Sequence, residues 1–361
     1  MAGGQDIAVA DIAQMLAPHA AAVCRQVLPA GREEGGFYCV GSIDGEPGSS
    51  LKIYLRGARQ GRWRDYAGDA RGDLVELVAQ AAYGGDKKPA IDWCKAFLGI
   101  AELTPKQFKE VRRKAIASAE RQQREQAEAD AKSRRQARAL WLSCEPIAQT
   151  AGQYYLEARG IDFGLLGHIP GALRYGRVYH STLKREAPCL VAAIMRGGQH
   201  VATHRTWITR EGGTWRSMKA ELGKLTKMTL GRYYEAGGYI PLWKGLNGKG
   251  EIPDGAFEPI AMAGPVHCGE GIENVLTIAQ VARGIPAAAS VALANLRQLP
   301  FPHIVWIADR DAADSKATAL LEKNIAVQQG MGKRMQFIWP DPGFKDVNDQ
   351  LMGKRMRDGN G

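Results

Sequence analysis

The sequence has few cysteines, and none of them forms a pair with the spacing of metal ligands. Six cysteines are scattered through 361 residues without a C-x-x-C motif. This pattern argues against a zinc ribbon and a disulfide framework, and it predicts reduced thiols in a cytoplasmic protein. No apolar run approaches the ~20 residues of a membrane helix, and the first residues lack a basic leader followed by an apolar core. We therefore expect no membrane partner and no secretory signal.

Acidic residues are scarce in the middle of the chain. Residues 104–250 carry a net charge of +14, whereas the segments before and after them each carry −2. A basic middle beside an acidic end is expected of a channel that leads a polyanion to a catalytic site. A solvated surface that is merely basic is the alternative. The phosphate-binding motif G-x-x-x-x-G-K-[ST] is also missing, so no helicase motor of that type is encoded here.

Carboxylates are concentrated near the end of the chain, where they follow short apolar runs. Residues 265–268 and 303–308 have the composition of buried strands, and the segment alternates strand and helix with the spacing of βαβ units. Carboxylates that follow parallel strands meet at one edge of the sheet, and a hard cation such as Mg²⁺ relieves their repulsion. The pattern predicts a metal-dependent phosphoryl-transfer centre. The residues concerned are Glu270, Asp309, Asp311, Asp346 and Asp349.

The composition along the chain predicts a division into segments. We expect a small α+β module at 1–103, a charged helix at 104–145 that begins at Thr104-Pro105, and a basic, strand-rich α+β segment at 146–257 that includes 154–160 as a strand. An α/β domain at 258–352 and a flexible tail at 353–361 follow. The helix at 104–145 is polar all round, which is typical of a spacer between domains or of a rod that lies along a charged partner.

The acidic motifs resemble the Toprim domain that bacterial-type primases share with topoisomerases and some nucleases. In that family, a Glu-Gly at one strand end and an Asp-x-Asp after another strand hold the catalytic metals. Glu270-Gly271 and Asp309-x-Asp311 match these positions, and Lys345-Asp346-x-Asn348-Asp349 is similar to a signature that closes primase versions of the domain. The resemblance covers residues 260–351 and implies an α/β fold with a parallel, Rossmann-like sheet.

The resemblance also implies roles for these residues. Asp309 and Asp311 would be direct ligands of Mg²⁺ or Mn²⁺, and Glu270 would be either a ligand or the base that receives a hydroxyl proton. Asp346 and Asp349 would support the metals from further out. Lys345 would contact a phosphate, or else form an ordinary surface ion pair with a neighbouring aspartate.

The middle and N-terminal segments resemble other parts of phage and plasmid primases. In the basic segment, the candidates for binding template or nucleotide phosphates are Arg159, Arg205, Lys224 and Lys227. Trp207, Trp215, Tyr233 and Tyr234 would stack on unpaired bases or, alternatively, pack in the core. His204 is expected to be a packed histidine. Residues 48–77 are similar to the later part of a zinc-ribbon module that reads the template, but the zinc ligands are absent, so no zinc is expected.

Three functions follow in order of preference. The first is a DNA primase that makes short primers on single-stranded DNA from nucleoside triphosphates, encoded by a phage, plasmid or other mobile element. The second is a metal-dependent Toprim nuclease, for which the basic segment would be unnecessary. The third is a non-catalytic single-strand-binding replication adaptor, for which the clustered carboxylates would be unnecessary. A replicative helicase is a plausible partner in trans, and a topoisomerase is least expected because little room remains for a domain with a strand-attacking tyrosine.

Overall fold

A computed structural model describes residues 8–57, 59–67, 70–100, 105–233, 237–312 and 314–356. It shows a mixed α/β protein with separate sheets, and the chain divides into two compact units, Met1–Glu128 and Ala129–Gly361. In the described part of the chain, no helix is long and apolar enough to cross a membrane.

The helices occur in groups between runs of strands, and they alternate more regularly with single strands from residue 257 onward. The helices are α1 (Val9–Leu16), α2 (Ala20–Val27), α3 (Leu74–Tyr83), α4 (Lys87–Phe97), α5 (Pro105–Ser143), α6 (Ala151–Glu157), α7 (Phe163–Leu166), α8 (Lys219–Leu222), α9 (Phe257–Met262), α10 (Ile272–Val281), α11 (Lys316–Gly330) and α12 (Val347–Leu351). Short 3₁₀ turns cover Ala17–His19, Gly223–Thr226 and Leu293–Gln298.

The strands form sheets within each unit. They are β1 (Arg32–Glu34), β2 (Phe37–Val40), β3 (Leu51–Tyr54), β4 (Trp63–Asp65), β5 (Arg71–Gly72), β6 (Glu145–Pro146), β7 (Leu173–His180), β8 (Arg185–Arg196), β9 (Gln199–Glu211), β10 (Thr214–Ser217), β11 (Lys227–Gly231), β12 (Ile240–Trp243), β13 (Pro265–Gly269), β14 (Ala287–Ala289), β15 (His303–Ile307) and β16 (Arg334–Ile338).

The first unit is an antiparallel sheet that packs on helices. Strands β1 to β5 pair in sequence order, as their short alternating segments predict. Alternate side chains such as Tyr38, Ile53 and Trp63 are buried on one face against α1 to α4. Helix α3 begins at the N-cap Asp73, whose carboxylate accepts hydrogen bonds from the backbone N–H groups of residues 75 and 76.

Helix α5 is 39 residues long and contains the boundary between the two units. The sequence predicts that this helix begins at Thr104-Pro105. The helix begins at Pro105 in the structure, and Thr104 lies outside the described residues. Its last turns are fixed to the second unit by Trp141, whose Nε1–H donates to the Ala172 carbonyl at 2.9 Å. The Arg174 guanidinium lies 3.9 Å from the centre of the same indole ring. The end of this polar helix is therefore anchored, although most of its side chains face solvent.

The second unit contains an antiparallel sheet in the order β10-β9-β8-β7-β6, in which β11 also pairs with β9. The prediction of a strand at 154–160 was wrong, because residues 151–157 form α6. Thr150 caps this helix by accepting from the Gly152 N–H, and Tyr155 and Leu156 are buried beneath it. The aromatic run suits a strand by propensity, but the cap and the burial of adjacent residues suit a helix packed on a sheet.

The chain ends in a second sheet of this unit, in the order β12-β14-β13-β15-β16. Strands β13, β14, β15 and β16 are parallel, and β12 is an antiparallel edge strand. The predicted strands at 265–268 and 303–308 and the helices that follow them are confirmed. One apolar core joins α6, the antiparallel sheet, α10 and the inner face of the parallel sheet. This shared core fixes the carboxyl edge of the parallel strands against residues of the basic segment.

Candidate active site

Carboxylates from separate segments lie at the carboxyl edge of the parallel sheet. Glu270 directly follows β13, Asp309 and Asp311 follow β15, and Asp346 precedes α12. Strand β13 ends at Gly269, where a Cβ atom would lie 3.1 Å from Val275 and 3.3 Å from Ile307. A glycine at this position allows helix α10 and strand β15 to approach closely. The fold therefore brings the acidic motifs together as the sequence predicts.

The electrostatics of this edge are those of a carboxylate cluster partly removed from water. Burial, together with the nearby charges of Asp346, Glu270 and Asp311, raises the pKa of Asp309 to about 7. Burial also raises the pKa of Glu270, with Asp311 adding to the shift, and burial raises the pKa of Asp346. Negative charge at Asp309 is costly here unless a proton or a cation compensates it.

Each outer carboxylate of the cluster has a definite partner. An Oε2 atom of Glu270 accepts a hydrogen bond from the Leu293 N–H at 3.2 Å. Asp346 caps α12 by accepting from the Asp349 N–H at 2.7 Å. The carboxylate of Asp349 lies 3.8 Å from the Arg159 guanidinium. Asp346 and Asp349 are thus engaged in holding the local structure, and Asp346 also makes the largest charge contribution to the raised pKa of Asp309.

The donor set suits a hard cation, although its geometry is not that of a completed site. Within the described ranges, no group of three or more His, Cys, Asp or Glu side chains is arranged to hold a metal ion. The oxygens of Glu270, Asp309 and Asp311 nevertheless form an oxygen-only donor set, and burial and then the nearby negative charges raise the pKa of Asp309. Mg²⁺ and Mn²⁺ prefer such oxygen ligands and neutralise such charge. The donor chemistry of these three residues suits such an ion, although they do not form a three-ligand group in the structure.

Three basic side chains lie near the carboxylate cluster. The Nζ atom of Lys345 lies 3.9 Å from an Asp311 oxygen. Lys227, on β11 of the antiparallel sheet, lies 3.3 Å from an oxygen of Glu273 and is close enough to lower the pKa of Glu270. Arg159 approaches from the end of α6 through Asp349. Three of the five predicted phosphate-binding residues therefore lie beside the carboxylates.

The other two predicted phosphate-binding residues lie elsewhere. Arg205 lies over Trp207, 5.2 Å from the ring centre, and pairs across the sheet with Val191 and Met228. Lys227 instead pairs with Thr206, so Arg205 and Lys227 project from opposite faces of the sheet. Lys224 is exposed in the 3₁₀ turn before β11. Neither Arg205 nor Lys224 is grouped with the carboxylate cluster.

The aromatic candidates are mostly packed side chains. Trp207 is fully buried and donates from Nε1 to the Val178 carbonyl at 3.0 Å, so core packing accounts for it. Trp215 and Tyr233 are half-buried against the main core, and Tyr234 lies outside the described residues. His204 is buried with a pKa lowered to about 3, first by burial and then by Lys227, as expected of a packed neutral histidine.

A buried polar row on helix α10 was missed by the sequence reading. Its members, spaced by one, three and three residues, are Glu273, Asn274, Thr277 and Gln280. They contact Tyr155, Asp309, Asn348 and the backbone around Gly160. The signal was present, because polar residues at helical spacing within an apolar helix form a single face. This face lies between the acidic edge and α6.

Comparison with known proteins is informative for one part of the chain. Residues 131–240 match the model described as Domain of unknown function (DUF7146). No curated protein matches the chain. The matched segment contains α6, Arg159, the antiparallel sheet and Lys227, and it ends before the parallel sheet and all of the clustered carboxylates.

Proposed function

We propose that this protein is a DNA primase, which synthesises short primers on single-stranded DNA with a Toprim-like, metal-dependent centre. The observation that carries the proposal is the grouping of Glu270, Asp309 and Asp311 at the carboxyl edge of a parallel sheet, with Lys345 and Lys227 beside them. The resemblance of the acidic motifs to Toprim primases supports the same centre. The net charge of +14 on residues 104–250 supports a polyanionic substrate.

Each group of residues in the proposed site has a different role in nucleotidyl transfer. When bound, Mg²⁺ or Mn²⁺ would neutralise the triphosphate and activate the primer 3′-hydroxyl. Asp309 and Asp311 would hold the ion, and Glu270, whose pKa burial raises, is suited to accept the hydroxyl proton. Lys345 and Lys227 provide positive charge for the phosphates of the incoming nucleotide. Arg159 anchors the segment that carries Asp346 and Asp349.

The proposed substrates follow from this division. Nucleoside triphosphates would bind at the carboxylate edge, and the single-stranded template would lie along the basic segment. A replicative helicase would act in trans. The proposed source is a mobile genetic element, and the proposed location is the cytoplasm.

Primer synthesis on defined single-stranded templates tests this function. The full chain, with labelled nucleoside triphosphates and Mg²⁺ or Mn²⁺, is expected to make short oligonucleotides. Asp309→Ala combined with Asp311→Ala is expected to reduce synthesis at least a hundredfold, because both ligands are lost. Asp254→Ala, a change of an exposed acid outside the cluster, is the matched control and should retain synthesis. Undiminished primer from the double variant would refute the assigned site.

The same assay separates the two alternatives. Cleavage of the template by the wild type in the absence of nucleotides, lost in the double variant, would support a Toprim nuclease instead. Template binding without synthesis or cleavage would support a single-strand-binding adaptor. Both outcomes would overturn the primase proposal.

A further inference from the structure

Helix α10 contributes a neutral amide directly to the carboxylate cluster. The Nδ2 group of Asn274 lies 3.1 Å from Oδ1 of Asp309. The Oδ1 atom of the same amide faces the backbone N–H of Asn348 at 3.3 Å. Asn274 is 8% exposed, so water does not compete freely for either contact. One side chain therefore connects the segment after β15 with the start of α12.

The hydrogen-bond partners decide which way this amide points. The backbone N–H of Asn348 can only donate, so the atom of Asn274 that faces it must be the oxygen. The nitrogen is then directed at Asp309, where it donates to a carboxylate oxygen. The Nδ2 group of Asn274 donates to Oδ1 of Asp309 and so orients this carboxylate. The Oδ2 atom of Asp309 does not take part in this contact and is suited to bind a cation.

Asn348 is held as firmly as Asn274. Its side chain is fully buried, and its Nδ2 group donates to the Arg159 carbonyl at 2.7 Å and to Thr277 Oγ1 at 3.0 Å. Because Asn348 lies between Asp346 and Asp349, this contact fixes the supporting carboxylates as well. The amides of Asn274 and Asn348 thus join the acidic motifs to α6 through continuous hydrogen bonds.

We propose that Asn274 is a positioning residue that orients Asp309 for divalent-cation binding. The inference rests on the proposed metal centre and extends it to a residue that does not itself touch the ion. Outer partners that hydrogen-bond to ligating carboxylates fix their orientation, and their removal typically weakens metal binding 10- to 100-fold. A purely structural link between α10 and α12 would instead affect stability without affecting the ion.

Binding of Mn²⁺ to the full chain, measured by isothermal titration calorimetry beside thermal unfolding, separates these roles. Asn274→Ala is expected to raise the Mn²⁺ dissociation constant about 10- to 100-fold. Gln280→Ala is the matched control, because Gln280 is a buried amide on the same helix that bonds to the Asp162 N–H and the Gly160 carbonyl. The Gln280→Ala variant should have a lower melting temperature than the wild type, but its Mn²⁺ dissociation constant should stay within about twofold of the wild-type value. A twofold change is a small difference in binding free energy. Equal weakening in both variants, or none in Asn274→Ala, would overturn the proposal.

A second variant covers the case in which Asn274→Ala does not fold. Asn274→Asp keeps an acceptor for the Asn348 N–H but places a carboxylate where the donor to Asp309 stood. Without metal, repulsion from Asp309 should lower the melting temperature, and added Mn²⁺ should raise it by more than in the wild type. A variant with the wild-type response to Mn²⁺ would show that residue 274 does not face the cation site.

The failure of this inference is distinguishable from the failure of the proposed function. Mn²⁺ binding that depends on Asn274, in a protein that makes no primers, would overturn the primase and keep the positioning role. Primer synthesis and Mn²⁺ binding that both survive in Asn274→Ala would keep the primase and overturn the positioning role. A wild type that binds no Mn²⁺ would overturn both.

Discussion

Glu273 is a buried carboxylate that the fold keeps charged. Burial alone would raise its pKa, but Lys227, the Tyr155 hydroxyl and Arg159 outweigh this and lower the pKa to about 2. The Tyr155 hydroxyl donates to Oε1 at 2.7 Å, and Lys227 lies 3.3 Å from the same atom. Residues of α6, β11 and α10 therefore meet at one carboxylate, which holds Lys227 near the acidic edge.

We predict that Glu273→Gln destabilises the second unit by about 1–2 kcal/mol at pH 7. The amide retains an acceptor for Tyr155 but loses the ion pair, and the cost is limited because the Lys227 side chain is 45% exposed and can be solvated. The folded pKa of Glu273 is lowered, so its contribution is complete above about pH 4.5 and is lost as the pH falls towards 2.

Urea unfolding at a series of pH values measures this effect. The difference between the wild type and Glu273→Gln should shrink as the pH falls from about 4.5 towards 2. Glu157→Gln, at an exposed carboxylate on α6, is the control and should match the wild type at every pH. A difference that does not change with pH would mean that the ion pair is not its source.

The residues that sequence could identify are those with motif spacing. Glu270, Asp309 and Asp311 stand in short, ordered motifs after apolar runs, so their grouping followed from the parallel sheet alone. Asn348 also stands in such a motif, but its contact with Asn274 joins segments 74 residues apart in the chain. Such contacts depend on how α12 packs against α10, and no local pattern specifies that packing.

At the scale of the element, the first unit has a sheet face that its core does not use. Phe37 and Tyr54 lie side by side with ring centres 4.9 Å apart, on the face opposite to Tyr38 and Ile53. Lys52 lies 5.6 Å from the centre of the Phe37 ring, and Arg64 pairs with Lys52 across the strands. The unit as a whole carries a net charge of only +1, so this basic and aromatic face is a local concentration.

We predict that this face contributes to template binding without zinc. Aromatic side chains that stack on unpaired bases are worth ~1–3 kcal/mol per base, so Phe37→Ala with Tyr54→Ala should weaken binding of single-stranded DNA about tenfold or more. Lys52→Glu should weaken binding further and reduce its salt dependence. Fluorescence anisotropy with a labelled oligonucleotide measures both effects.

The control for this face is another lysine of the same unit. Lys87→Gln, on α4, removes a salt bridge with Glu76 and leaves the sheet face intact, so it should bind DNA like the wild type. Unchanged binding in the double aromatic variant would remove the first unit from the template path.

Helices and strands were predicted correctly where the hydrophobic pattern and the residues at the ends of the segment indicated the same structure. The prediction failed where these two signals disagreed. The strands β13 and β15 are short apolar runs bounded by glycine or acidic residues, and they were predicted within a residue or two of their observed ends. Residues 154–160 contain two adjacent tyrosines and a terminal glycine, which suggested a strand. Their burial against β7 and β8 selects a helix, and tertiary packing of this kind overrides a local preference.

At the scale of the whole molecule, the second compact unit contains groups that respond to acid. The second unit contains three buried or half-buried histidines whose pKa values burial lowers, to about 4 for His200 and His267 and to about 3 for His204. Arg138 adds to the shift of His200, and Lys227 adds to that of His204. These histidines stay neutral in the folded state at pH values where the unfolded chain, with a histidine pKa of about 6.5, takes up protons.

We predict that these histidines make the second unit lose stability as the pH falls from about 6.5 to 4, against the opposite effect of Asp309, Glu270 and Asp346, whose pKa values are raised. The folded pKa values are lowered, so the unfolded state binds more protons in this window and each histidine costs up to ~1.4 kcal/mol per pH unit. Denaturant unfolding followed between pH 7.5 and 5 should show a falling midpoint. His204→Gln should make the unfolding free energy depend less steeply on pH, by the amount that corresponds to about one proton, because one titrating group is removed. His19→Gln, an exposed histidine in the first unit, should not change it. A midpoint that stays level down to pH 5 would mean that water reaches these histidines in the folded protein. The antiparallel sheet would then pack less tightly around His204 than its contacts with Thr206 and Thr229 indicate.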